Sequence, residues 1–412
     1  MAVADERVRP QCGASMIRRS RPERAGPERA GPDRVLDEAG GAIDALVEPL
    51  TGRSLGELGL VDALEPGTPL VVRVALPSEH YPLAERLRQA VVEAARGAGA
   101  ASVAVETRVL GAEEQMELAG RLRAIADPEP AREHASGVGV APPSQRPNPF
   151  ARPGSKTRVL GITSGKGGVG KSSVSVNLAV AMARLGKRVA ILDADVYGFS
   201  VPAMLGLDLG PVPIGDLLVP SVAHGVRCIS MGFFADDDQP VIWRGPMLHK
   251  AIEQFLVDTF WGDPDVLVVD MPPGTGDVAL SMAQYMPKSE VYVVTTPQVA
   301  AQRVAQRSGL MAKALKLPIR GVIENMSWFT GDDGTRYELF GAGGGRRLAD
   351  LLGVELLGQI PLQRSFREGG DEGRPVVVAE PESEAAQAIE RLAERILELG
   401  PARVWRKELR VR

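Results

Sequence analysis

Between Val159 and Ile360 the chain alternates short, nearly unbroken apolar runs with longer segments in which apolar residues recur every third or fourth position. The runs Val159–Thr163, Arg188–Leu192, Val226–Ser230, Val266–Asp270, Val291–Thr295, Ile319–Glu324 and Glu355–Ile360 read as strands. Strands that are apolar on both sides and separated by helices predict an α/β fold, a mostly parallel sheet with helices on both faces. In one intervening segment Val174, Leu178, Met182 and Leu185 share a helical face, and Gly186 stands where a C-terminal cap is needed. A smaller α/β pattern comes earlier. Leu36–Leu50 has helical spacing, Leu70–Leu76 reads as a strand, Leu83–Ala95 as an amphipathic helix and Ser102–Val109 as a second strand.

The pattern divides the chain. Residues 1–34 show no apolar period and repeat Glu-Arg-Ala-Gly-Pro from Glu23 and again from Glu28, which reads as a disordered arm. A small α/β domain over 35–126 is followed by a linker, 127–157, rich in Pro, Ser, Gly and Arg. The large domain takes 158–400, and a basic tail, 401–412, closes the chain. In that tail Trp405 and Leu409 lie four residues apart between arginines, too little apolar area to anchor on a membrane.

Composition narrows the classes. With 412 residues and 44% hydrophobic content the chain can bury two cores. A net charge of −4 argues against a protein that coats nucleic acid. No apolar run approaches the roughly 20 residues of a membrane span, and no apolar leader follows the first residues, so a cytoplasmic location is expected. The only cysteines are Cys12 and Cys228, which excludes a disulfide framework and leaves no C-x-x-C pair.

Candidate chemistry starts where the first strand of the large domain meets a glycine-rich turn, Gly165-Lys-Gly-Gly-Val-Gly-Lys-Ser172. Strand, glycine loop and helix start, in that order, make a phosphate cradle from main-chain N–H groups and a helix dipole. Gly165, Gly167, Gly168, Val169, Gly170, Lys171, Ser172 and Ser173 are the expected nucleotide-binding residues. Lys171 is expected to reach the β/γ-phosphates and Ser172 to ligate Mg²⁺. Val266–Asp270 ends in a carboxylate on an apolar strand, and beside such a loop its natural partner is Mg²⁺. The Pro-Pro-Gly-Thr-Gly turn up to Asp277 then reads as a γ-phosphate-sensing loop. After the strand Arg188–Leu192, Asp193 and Asp195 suggest support for Mg²⁺ or the loop and orientation of the attacking water, respectively, with helix capping as the competing role for each. No Asn-Lys-x-Asp guanine reader occurs. Asn325 follows a strand instead, where its amide pairs with adenine N6 and N7 or caps a turn, so ATP is the expected nucleotide.

Together these stretches resemble one family. Lys166, a second lysine at the start of the loop, is the mark of the deviant Walker A group that includes the MinD, ParA and nitrogenase iron-protein ATPases. The segments Asp193–Gly198, Asp270–Asp277, Thr296–Gln298, Glu324–Ser327 and Gly358–Leu362 are similar to the Mrp/ApbC branch, carrier ATPases of iron–sulfur cluster assembly. Residues about 35–110, with Glu57–Val61 the most recognisable stretch, are similar to a small domain that recurs in such assembly factors. The resemblance implies a homodimer in which Lys166 reaches the partner's nucleotide, with Lys166, Lys171 and Asp195 catalytic and Ser172, Asp193 and Asp270 holding Mg²⁺. It also implies a [4Fe–4S] cluster passed to apo iron–sulfur client proteins, or, as the alternative, a MinD/ParA-like regulatory ATPase on a membrane or partner surface. Cluster-carrying members usually show a C-x-x-C after the Asn-Met-Ser element. Here Trp328–Tyr337 holds no cysteine, Asp332-Asp333-Gly334 reads as a turn, and Tyr81-Pro82 stands where relatives of the small domain often have Cys-Pro. Cys228 falls in an apolar strand and reads as structural, so cluster ligands stay unassigned.

Overall fold

The computed structural model describes residues 32–126, 148–152, 154–196, 198–234, 245–274 and 276–402. The arm up to residue 31, most of the linker (127–147) and the tail from 403 lie outside the described residues.

The small module opens with α1 (Pro32–Asp44), which begins inside the stretch read as an arm and ends six residues before Leu50. Val47–Glu48 beyond it forms a short antiparallel bridge with Arg53–Ser54, so the helical spacing over 36–50 overran the helix. Then come β1 (Val61–Glu65), β2 (Leu70–Leu76), α2 (Ala84–Gly97), β3 (Val103–Val109) and α3 (Ala112–Ala126). β1 pairs antiparallel and β3 parallel with β2, and the helices cover the sheet.

The large domain runs β4 (Arg158–Ser164), α4 (Lys171–Arg184), β5 (Val189–Asp193), β6 (Ser221–Ala223), β7 (Val226–Ser230), α5 (Gly245–Asp258), β8 (Val266–Asp270) and α6 (Asp277–Tyr285). It continues with β9 (Glu290–Thr295), α7 (Val299–Ala314), β10 (Ile319–Glu324), α8 (Gly344–Leu352), β11 (Glu355–Gln359), α9 (Arg364–Asp371) and α10 (Glu384–Glu398). The eight strands lie in the order β6-β7-β5-β8-β4-β9-β10-β11, all parallel except the edge strand β6. Each strand alternates its side chains between two dry cores. Leu160 and Ile162 pack with α4 and α10 on one face, while Val159 packs with α5, α6 and α7 on the other.

The start of β4 is tied to the C-terminal end of the fold. Arg158 pairs with buried Glu290 at 2.8 Å and donates to the Ile396 carbonyl, and the Ala402 N–H donates to Glu290 at 2.6 Å. The end of the linker also folds back on the domain. Asn148 donates to the Tyr285 carbonyl at 2.8 Å, and buried Phe150 meets Trp261 edge-on.

Candidate functional site

β4 lies between β8 and β9, and its carboxyl end passes straight into the glycine loop. Gly170 caps α4 at φ +77°, a left-handed conformation that suits glycine. The far end of α4 closes with Lys187 N–H to Met182 O at 3.1 Å and Gly186 N–H to Ala183 O at 2.9 Å, with Gly186 at φ +80°. That pair of hydrogen bonds is the glycine stop expected of the sequence.

A cavity of about 560 Å³ opens in front of this loop. Lys166, Gly167, Gly168, Gly170, Lys171, Ser172 and Ser173 form one wall. Asp195 and Met204 stand on another, with Leu248 of α5 and Pro272, Pro273 and Asp277 of the turn after β8. Gly165 and Val169 are buried behind the loop instead of facing the cavity.

Asp270, fully buried at the end of β8, is the electrostatic centre. Lys171 Nζ and Ser172 Oγ both donate to its Oδ2 at 2.6 Å, and Ser175 Oγ donates to Oδ1 at 2.6 Å. Three charge-assisted bonds, one from an ammonium, hold a carboxylate away from water where it would otherwise be strongly disfavoured. Asp195 reaches the same lysine, Oδ2 to Nζ 3.6 Å.

Asp193 is not part of the cavity wall. Its oxygens accept from Asp195 N–H (3.2 Å), Val201 N–H (3.3 Å) and Ser230 Oγ (2.9 Å), so its contacts hold the loop and turn away from the cavity. Burial first, and then the negative charge of Asp270, push its carboxyl up to about 7. Asn325 also faces inward. Its amide donates to the Val169 carbonyl at 3.0 Å and lies against Gly170, while its Oδ1 is buried with no hydrogen-bond partner. Lys166 is half-buried and donates to Gln298 Oε1 at 3.1 Å.

Two contributors escaped the sequence reading. Ser175 lies one helical turn after Lys171, so the i, i+4 spacing that places it on Asp270 was there to be read. Gln298 contacts Lys166 only through the pairing of β9 with β4, which no local spacing reveals.

The stretch after Asn325-Met-Ser327, where the resemblance would place a C-x-x-C, is a hairpin, Phe329–Thr330 against Arg336–Tyr337, turned by Asp333, which accepts from Thr335 N–H at 3.0 Å. Cys228 is buried in β7, and burial, then the Asp193 charge, raise its thiol well above the ordinary range. Among the described residues no three His, Cys, Asp or Glu side chains cluster as metal ligands, and no helix is long and apolar enough to cross a membrane.

A ParA-group profile described as "NUBPL iron-transfer P-loop NTPase" matches residues 155–397, more than half of the chain. This chain belongs to that family. Individual relatives extend the likeness to the small module. The iron-sulfur cluster carrier protein of Mycobacterium leprae is 42% identical over 362 residues, 86% of this chain and 90% of that protein. The protein of the same name from Bacillus subtilis is 39% identical over 332 residues, 80% of this chain and 88% of that protein. Among solved structures, a nucleotide-binding protein of Archaeoglobus fulgidus in complex with ADP is similar at 35% identity with a TM-score of 0.48, covering 55% of this chain and 89% of that one.

Proposed function

We propose that this NUBPL-type chain is a Mg²⁺-dependent ATPase that acts as an iron–sulfur cluster carrier and assembly factor in the cytoplasm, serving apoprotein clients. The observation that carries the nucleotide half is the convergence of Lys171, Ser172 and Ser175 on the one buried carboxylate of Asp270, beside a cavity large enough for a nucleotide. Asp270 and the Ser172 hydroxyl are hard oxygen donors, which suits Mg²⁺ and would hold it. When bound, the ion would supply positive charge that offsets the charge of the phosphates.

The chain's own residues do the rest. Loop N–H groups grip the phosphates, and Lys171, already beside the cavity, turns from Asp270 to phosphate oxygens. Asp195 accepts a hydrogen bond from water and aims it at the γ-phosphorus, where the new P–O bond forms as the bond to the β-bridging oxygen breaks. Asn325 braces the glycine loop through the Val169 carbonyl, and its Oδ1, a buried acceptor without a partner, would have to turn toward the cavity to meet the exocyclic amine of adenine. Lys166 acts on the nucleotide of a second copy in a homodimer, where a cation from outside the site offsets developing charge. Replacing Asp195 with Ala should abolish steady-state turnover while ATP affinity stays within about five-fold. Wild-type phosphate release from that variant would remove Asp195 from the mechanism.

The carrier half rests on family membership and on the shared name of the relatives. The cluster is cargo here. No pair of thiols among the described residues can ligate it, and Cys228 is inaccessible in the sheet. Anaerobic reconstitution should therefore load iron and sulfide below one cluster per dimer, and equally in Cys228→Ser. A stoichiometric cluster that survives desalting and vanishes in that variant would place the cargo inside the sheet and refute this.

A further inference from the structure

Two walls of the nucleotide cavity run away from it and end in the same place. One begins at Asp195, passes Ser200 and Met204 on the cavity side, and continues into an antiparallel hairpin, Val212–Ile214 against Leu217–Val219. The other is α5, which lends Leu248 to the cavity and leads into Phe260 two residues past its end. Phe260 N–H donates to Leu218 O at 2.8 Å, so the two far ends are joined.

Both ends are buried, but not in the large domain. Val212, Ile214, Leu217, Val219 and Phe260 are at most 5% exposed and belong to the hydrophobic core of the small module. Directional contacts fix the register. At the hairpin tip Gly215, at φ +58°, leaves no room for a side chain against Met116 Sδ, 2.8 Å from where a Cβ would stand. Asp216 beside it pairs with Arg123 of α3 at 2.8 Å, and Arg123 also donates to the Asp216 carbonyl at 3.1 Å. A third link runs along β7. Its last residue, Ser230, donates to Asp193, which holds the Asp195 N–H, while Arg227 near its start donates to Thr51 O of the small module at 2.8 Å.

The wall carrying Asp195 is held at three places. Asp193 fixes its start, Val201 and Leu205 in and beside a four-residue helix pack into the core of the large domain, and its far half, two three-residue strands among the described residues, is buried in the small module. With so few local hydrogen bonds, that far half takes its position from the module.

We propose that the small module is the footing of the catalytic wall. Its dock on the Val212–Val219 hairpin sets Asp195 against the glycine loop, which makes Arg123, Asp216 and Arg227 positioning residues for ATP hydrolysis. The proposal rests on the reading of Asp195 given above. Coupling of this kind is reciprocal, so a client that shifts the module alters turnover, and bound nucleotide alters the dock.

The test uses the full chain in three variants, Arg123→Asp, Asp216→Arg and the two combined, with Arg227→Met as an independent probe that keeps side-chain length. Each single change should lower kcat by about three- to ten-fold, a partial share of the loss that a 1 Å misplacement brings, and leave the affinity for a nonhydrolysable ATP analogue within about two-fold. The charge swap should restore kcat to within about two-fold of wild type. Melting curves identify the variants that fold. Wild-type kcat in a folded single variant, or a charge swap no better than its parents, would overturn the proposal. Asp195→Ala measured alongside separates the two readings. Full turnover there fells the role of Asp195 itself, whereas loss of turnover there with unaffected dock variants fells only the footing.

Discussion

At the scale of single residues, the site is a set of charges that satisfy one another. Lys171 and Asp270 neutralise each other at 2.6 Å, so an anion that takes the lysine leaves the carboxylate bare, and a cation that takes the carboxylate leaves the lysine bare. A metal-bound polyphosphate replaces both partners at once. Metal and nucleotide should therefore enhance one another's binding. Asp193 adds a pH signature. Burial and the Asp270 charge raise its carboxyl well above the ordinary carboxylate range, so between the ordinary and the raised value the folded chain holds a proton that the unfolded chain has lost. Stability then falls as pH rises through that window and levels off above it. Melting temperatures of the ligand-free protein between pH 5 and 8 should show this slope, and Asp193→Asn should flatten it; parallel curves would mean that Asp193 is ionised throughout.

At the scale of elements, the glycine loop is held from behind. Gly170 has φ +77°, and a methyl group there would run into the Asn325 amide that braces the Val169 carbonyl. Gly170→Ala should cost about 1–2 kcal/mol for the left-handed backbone alone and lower ATP affinity about ten-fold or more through the displaced loop. Urea unfolding and calorimetry with ATP check the two parts, and unchanged affinity would show that the cradle tolerates the shift. The same elements show what the sequence made legible. Seven strands of the main sheet were readable to within a residue or so at each end, because burial on both faces leaves an apolar run that little else produces. The glycine stop at Gly186 was equally plain. What escaped was built from few residues or from distant ones. The edge strand Ser221–Ala223 and the hairpin at 212–219 are three-residue pieces with no period to detect. β1 is half-exposed and carries Asp62 and Glu65, which hide its alternation. At the site, the loop, Lys171, Ser172 and Asp270 come together as their motifs suggest. Asp193 and Asn325 turn inward, because a side chain's direction depends on partners such as Ser230 and Val169 that lie far away in sequence.

At the scale of the whole molecule, the proposed dimer gives Lys166 its task. Its bond to Gln298 joins the ammonium to an uncharged amide oxygen on a half-buried chain, a restraint that an anionic phosphate oxygen would outcompete. Lys166→Ala should slow hydrolysis about 100-fold, the loss typical of removing one transition-state donor, and weaken ATP-linked dimerisation in sedimentation velocity. An unchanged rate together with an unchanged sedimentation coefficient would leave the lysine without that role. The molecule also has two distinct ends. Ala402 is fastened by Glu290 where β4 begins, and the nucleotide loops lie where β4 finishes, seven residues and roughly 20 Å further on. A fluorophore or surface tether joined just beyond Ala402 would emerge on the side opposite the cavity mouth, so an immobilised molecule would keep that mouth open to solution.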